Sequence, residues 1–299
     1  MKGIFVKSAD NVLSETPTTP QLGRFCVSPG GFNSLPKQWL TISVSMKLKI
    51  LGCAGGIGGK EPNTTCMLVD DDLLVDAGTG LANLSIEQLV AIDHVFISHC
   101  HLDHVAGLAL LMDAVFGKRS APVIIHASPE VVLALKTHIF NWVIWPDFAS
   151  LPNAEQPSMR FEEMPAGSTL TLGDRIISSH PVNHTPGSVG YWIRNSDAGF
   201  LFTGDMATTP DLWDVMKNET ALRQVIVDCS FPDAEAELAH ISRHFCPSAL
   251  LQDIQGMPEA VDFLIYHLKP GQETQIMSEL EATRPGKFTA LRAGDSFLF

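Results

Sequence analysis

Ser98-His99-Cys100-His101-Leu102-Asp103-His104 follows the apolar run Val95-Phe96-Ile97, and this stretch decides the fold. Side chains in extended backbone repeat every two residues, so His99 and His101 point the same way and Cys100 points away from them. Asp103 and His104 come next, at the start of a predicted helix, and face a second point in space. Imidazole nitrogens and carboxylate oxygens gathered in this way suit zinc, iron(II) or manganese. A histidine-rich surface loop would need no partners, whereas here partners of the right type recur downstream.

Three later stretches supply them. The first runs from His180 through His184 to Gly190-Tyr191, the second is Phe202-Thr203-Gly204-Asp205, and the third is Ile265-Tyr266-His267-Leu268-Lys269-Pro270. Asp205 and His267 each end an apolar strand, where a rigid scaffold presents functional groups at one rim.

The remaining chain reads as strands in runs broken by helices, which predicts stacked sheets flanked by helices. Predicted strands include 46–51, 65–69, 73–75, 93–97, 123–126, 159–164, 169–172, 175–179, 189–194, 200–202, 225–227 and 261–266, and the C-terminal stretch 287–299 is strand-like. Predicted helices cover 84–90, 105–116, 128–140, 234–245, 247–255 and 271–280. The aromatic, proline-rich segment 142–157 reads as a packed connecting loop, with a dimer contact as the alternative. Gly52-Cys53-Ala54-Gly55-Gly56-Ile57-Gly58-Gly59-Lys60 lacks the spacing of a nucleotide loop. It reads as a glycine turn bordering a pocket.

Residues 1–45 have a different texture, with Thr16-Pro17-Thr18-Thr19-Pro20 and Ser28-Pro29-Gly30-Gly31 as loop chemistry. They read as an N-terminal extension or arm ahead of a compact domain at residues 46–299. The formal net charge of −13 argues against a stable nucleic-acid partner and leaves room for a small anionic substrate at a metal site. Six cysteines without a C-x-x-C pair suit reduced thiols and a cytoplasmic location. No apolar run reaches the length of a membrane span.

The pattern H-x-H-x-D-H, a later His, an Asp after a strand and a last His resembles the metallo-β-lactamase superfamily over about residues 46–299. The resemblance implies an α/β fold, a four-layer αββα sandwich, with two divalent metal ions at the sheet edge. Zinc is expected, with manganese or iron as alternatives. Carried over, His99, His101 and His184 hold the first metal, Asp103, His104 and His267 the second, and Asp205 bridges them. His184 is preferred to His180 because the family's His precedes a Gly-Tyr-like strand start. Asp76, in an Asp-x-Gly motif, is expected to orient a ligand histidine.

Leu74-Val75-Asp76-Ala77-Gly78, Asp228-Cys229-Ser230-Phe231 and His267-Leu268-Lys269-Pro270 are similar to class II cyclic nucleotide phosphodiesterases. That likeness implies hydrolysis of 3′,5′-cyclic nucleotides (cAMP or cGMP) to 5′-nucleotides by a water ionised between the two metals. Asp103, Asp205 and His240 form the expected catalytic set, with His240 as proton donor and Lys269 as a phosphate contact. Asp228 stands where that class has Glu, and the residues after His240 depart from its His-Leu-Thr/Ser-Pro. His94, His126, His138 and His244 lack motif context and read as packing or surface residues. A tRNA 3′-processing phosphodiesterase, a glyoxalase II-like thioesterase and a non-hydrolytic metal-binding module are the competing readings. A homodimer is compatible with all of them. A chain starting at Met46 that keeps full turnover and solubility makes residues 1–45 a dispensable extension; loss of either makes them a working arm.

Overall fold

The structure, a computed structural model, describes residues 45–299. The expected N-terminal segment therefore lies, but for its last residue, outside the described residues. Six strands open the fold: β1 (Lys47–Gly52), β2 (Cys66–Val69), β3 (Leu73–Val75), β4 (His94–Phe96), β5 (Val123–Ala127) and β6 (Met159–Glu163). Seven more follow: β7 (Thr169–Leu172), β8 (Arg175–Pro181), β9 (Val189–Arg194), β10 (Gly199–Phe202), β11 (Leu222–Asp228), β12 (Asp262–Tyr266) and β13 (Phe288–Ala290). The last, β14 (Ser296–Leu298), returns to the first sheet and pairs antiparallel with β1. The strand orders are β14-β1-β2-β3-β4-β5-β6 and β13-β12-β11-β10-β9-β8-β7.

Strands buried on both faces lack a polar alternation, and β2, β3, β10 and most of β12 are apolar throughout. One set of their side chains meets between the sheets, where Met67, Phe96, Tyr191, Phe202, Leu264 and Tyr266 form a shared core. The other faces are covered by helices. Helices α1 (Ile86–Ala91), α2 (Leu102–Val115) and α3 (Pro129–His138) carry residues of the core on the first sheet. Helices α4 (Pro210–Met216), α5 (Ala236–Ser242), α6 (Pro247–Asp253) and α7 (Glu273–Thr283) follow, and α4, α6 and α7 contribute to the core on the second. The result is the expected αββα sandwich. Across it, Arg175 of β8 makes a two-pronged ion pair with Asp72, at 2.5 and 2.7 Å, that ties the second sheet to the β2–β3 turn.

Helix starts follow the sequence. Ser85 and Gln88 form a reciprocal capping box at α1, and Ser128 caps α3 ahead of Pro129. Two predicted elements end differently. The helix predicted over 234–245 stops at Ser242, because Arg243 takes a left-handed conformation (φ 58°). The C-terminal stretch predicted as one strand splits into β13 and β14, on different sheets. Segment 142–157 is partly packed: Phe148 is buried, while Trp142, Val143 and Ile144 are exposed. No helix among the described residues is long and apolar enough to cross a membrane.

Parallel pairing of β10, β11 and β12 brings their C-terminal ends to one rim. Parallel pairing of β3 and β4 does the same in the first sheet. Thr203-Gly204-Asp205, Asp228, His267, Asp76 and the 98–104 stretch all leave strands at such ends.

Away from that rim, His94 Nδ1 lies 3.0 Å from His126 Nε2, and Phe96 stacks on His126 at 4.4 Å. Burial pushes the His126 pKa down to about 4 and lowers that of His94. An unfolded histidine takes up its proton near pH 6.5, so the unfolded chain binds more protons below that pH. The contribution of His126 to stability is therefore complete above pH 6.5 and is lost as pH falls to about 4. His126→Gln is expected to flatten this part of the urea-unfolding profile, removing on the order of 2 kcal/mol of pH dependence. Equal slopes in both proteins would refute this assignment.

Candidate metal centre

The strand ends place two groups of donors around one carboxylate. His99, His101, His184 and Asp205 form the first, and Asp103, His104, Asp205 and His267 the second. Within each, one potential ligand atom per residue lies within 4.8 Å of all the others. Asp205 Oδ2 is 3.6 Å from His99 Nε2 and 3.1 Å from His267 Nε2, and Oδ1 is 3.3 Å from His104 Nε2. His267 Nε2 also lies 3.1 Å from Asp103 Oδ2, and His184 Nε2 lies 3.1 Å from His101 Nδ1. Asp205, His99, His104, His184 and His267 are buried, while His101 is exposed.

The far side of each buried ring is held by an acceptor. His104 Nδ1 meets Asp76 Oδ2 at 2.6 Å, and Ser98 donates both N–H and O–H to the same Asp76 carboxylate. Since Ser98 Oγ gives its proton to Asp76, it accepts from His99 Nδ1 at 3.0 Å. His184 Nδ1 donates to the Arg243 carbonyl at 2.9 Å, and His267 Nδ1 donates to Ser230 Oγ at 2.8 Å. Each such bond fixes the tautomer that leaves Nε2 with a lone pair facing the centre. Burial lowers the pKa of His99 and His101 and pushes that of His184 down to about 4; burial acts the same way on His104, but the Asp205 and Asp76 carboxylates outweigh it and raise that value well above the usual imidazole range.

Buried polar atoms are nearly always bonded. Here His99 Nε2, His104 Nε2 and Asp205 Oδ2 are buried without a hydrogen-bond partner, and all three face the same space. Divalent cations would satisfy this donor set.

The sequence-derived positions fall as follows. His99, His101, Asp103, His104, His184, Asp205 and His267 come together, and Asp76 bonds to His104. His180 lies in β8 and belongs to neither group. Cys100 turns aside and packs on the core of the first sheet. Lys269 Nζ is engaged by the Gly55 carbonyl at 2.8 Å.

His240 is exposed on α5 and belongs to neither donor group, although it lines one cavity with His244. His244, expected to be a packing or surface residue, takes the place beside the centre. Its ring stacks on His267 at 4.9 Å and lies 4.9 Å from His184. His244 Nδ1 bonds to Asp228 Oδ2 at 2.7 Å, and Ser230 O–H donates to Asp228 Oδ1 at 2.6 Å. Burial lowers the His244 pKa, but the adjacent Asp228 carboxylate outweighs it and raises the value overall. The left-handed turn at Arg243 swings His244 out of the helix and inward. His244-Phe245-Cys246-Pro247 has the His-x-x-Pro spacing sought after His240, and that was the available signal.

Metal-binding geometry inside an αββα sandwich defines a hydrolase of the metal-dependent kind. Residues 72–284 match the beta-lactamase superfamily domain, and the chain belongs to that superfamily. It is 28% identical over 244 residues to a Yersinia pestis protein named probable 3′,5′-cyclic-nucleotide phosphodiesterase, covering 70% of this chain and 68% of that one. It is 29% identical over 171 residues to the ribonuclease Z of Haloarcula marismortui, covering 55% and 52%. Among solved structures, unliganded yeast PDE1 superposes with a TM-score of 0.70 at 16% identity, over 86% of this chain and 99% of that one.

The glycine turn has a site role that differs from nucleotide binding. His267 has φ 62°, and a Cβ on Gly55 would stand 2.3 Å from the His267 carbonyl oxygen and 2.7 Å from Nδ1. Gly55 is therefore needed for close approach. Gly55→Ala is expected to displace His267, cost about 1–3 kcal/mol in denaturant unfolding and weaken divalent-metal binding. Gly56→Ala, whose Cβ would meet Pro270 at an ordinary 3.4 Å, is the matched control. Wild-type metal affinity in Gly55→Ala would remove this role.

Proposed function

We propose that the chain is a dinuclear zinc phosphodiesterase that hydrolyses 3′,5′-cyclic nucleotides to 5′-nucleotides. The observation that supports it most is the doubled donor set sharing Asp205, with three buried donor atoms left unbonded. In this reading His99, His101 and His184 hold one ion, Asp103, His104 and His267 hold the second, and Asp205 belongs to both. Such a pair supplies Lewis acidity, lowering the pKa of a water and neutralising phosphate charge.

The chain's own part in the reaction is proton transfer and positioning. A water adds to phosphorus as the P–O3′ bond breaks, and the departing oxygen needs a proton. His244 carries it at Nε2, while Asp228 on Nδ1 stabilises the imidazolium and fixes the ring. Ser230 couples His244 to His267 through its hydroxyl, 3.2 and 2.8 Å from their Nδ1 atoms. This keeps donor and ligand in register.

The name of the Yersinia relative supports a cyclic nucleotide substrate. The ribonuclease Z relative favours tRNA 3′-processing as the second reading. A tRNA substrate calls for a basic docking surface, and a net charge of −13 counts against one.

Metal analysis of the purified protein, paired with assays on cyclic AMP, cyclic GMP and bis(p-nitrophenyl) phosphate, tests the reading. Two zinc ions per chain with turnover of a cyclic nucleotide are expected. Asp205→Ala should lose metal and nearly all turnover. His244→Ala should keep its metal and lose about 10²–10⁴ in kcat, whereas His240→Ala stays near wild type. Hydrolysis of only the generic diester redirects the substrate assignment. An Asp205→Ala protein that keeps both ions and full rate overturns the centre.

A further inference from the structure

The chain contains two tyrosines, and both are buried in the core between the sheets. Each hydroxyl has one buried acceptor. Tyr191 donates to the Ile97 carbonyl at 2.9 Å. Tyr266 donates to Asp205 Oδ1 at 2.8 Å, from a side chain with 1% exposure. The second bond reaches the one residue common to both donor groups.

The two oxygens of Asp205 are thereby made unequal. Oδ1 is engaged by the Tyr266 hydroxyl and also lies 3.3 Å from His104 Nε2. Oδ2 has no hydrogen-bond partner and faces His99 at 3.6 Å, His184 at 4.0 Å and His267 at 3.1 Å, residues drawn from both groups. The terminal torsion of an aspartate is broad and nearly two-fold, so packing alone sets the rotation of such a carboxylate weakly. A phenol held in place on one oxygen sets it firmly. Tyr266 is itself locked by position: it is the last residue of β12, precedes His267, and its ring packs on Phe202 at 5.2 Å. Phe202 ends β10, three residues before Asp205.

We infer that Tyr266 is a positioning residue that, through its bond to Oδ1, fixes the rotation of Asp205, the residue common to both donor groups. The inference rests on the two-metal reading of the site.

Co²⁺ titration of the full chain, followed by the visible d–d bands, tests it in three proteins. Wild type is expected to bind two equivalents. Tyr266→Phe keeps the ring and removes the donor, and should bind one of the two equivalents about 10- to 100-fold more weakly. Leu264→Ala makes a cavity in the same core, two residues along the same face, without touching the hydroxyl. It should lower Tm while leaving both equivalents unchanged. Wild-type affinities in Tyr266→Phe overturn the inference, and so does an equal loss in Leu264→Ala, which would make the effect one of packing. Failure of wild type to take up Co²⁺ removes the metal reading itself, and this inference with it.

A second measurement leaves Tyr266 intact. In Tyr191→Phe, Tyr266 is the sole tyrosine, and Zn²⁺ addition should perturb its near-ultraviolet absorption because the carboxylate it donates to gains a cation. An unchanged tyrosine band on Zn²⁺ binding counts against the inference.

Discussion

The Asp205 carboxylate is 1% exposed, and the structure around it exists to make that burial tolerable. An isolated ionised carboxylate in a protein interior costs several kcal/mol in lost hydration. Asp205 stands instead among the imidazoles of His99, His104, His184 and His267, with one oxygen on Tyr266 and the other unbonded. The folded chain alone leaves this charge incompletely answered. A cation completes it, which makes fold stability and metal binding two aspects of one electrostatic problem.

The sandwich solves the positional half of that problem with parallel strands. β10, β11 and β12 run together, so the residues at their ends arrive at a common height. Serine then repeats one device on the two sheets. Ser98 gives its proton to Asp76 and accepts from His99, and Ser230 gives its proton to Asp228 and accepts from His267. In each case a buried carboxylate polarises a hydroxyl that orients an imidazole. The centre is thus held by two matched relays, one from each sheet, and its precision comes from buried bonds with no water to compete for them.

The sequence made the αββα layering and the His/Asp donor pattern readable, because both depend on local rules. Apolar runs give strands, and strand ends present side chains. His244 escaped because its placement depends on Arg243 adopting φ 58°, a conformation usually signalled by glycine. With arginine there, the apolar and polar spacing of 234–245 reads as one uninterrupted helix. Gly55 escaped for a different reason. Its neighbour, His267, is over two hundred residues away, and close backbone approach between distant segments leaves no trace in local composition. Tyr266 looked like one more apolar strand residue, since nothing in its neighbours announces a hydroxyl aimed at Asp205.

Asp76 and His267 share one more property: both are non-glycine residues at positive φ, 55° and 62°. Backbone in that region costs an ordinary L-residue about 1 kcal/mol or more, which glycine avoids. At both positions a side chain with work to do occupies a conformation that suits glycine better. Glycine there would relax the backbone and at the same time strand buried partners: Ser98 and His104 at position 76, Ser230 at position 267. The strain at both positions is thus held in place by the bonds of the side chain that causes it.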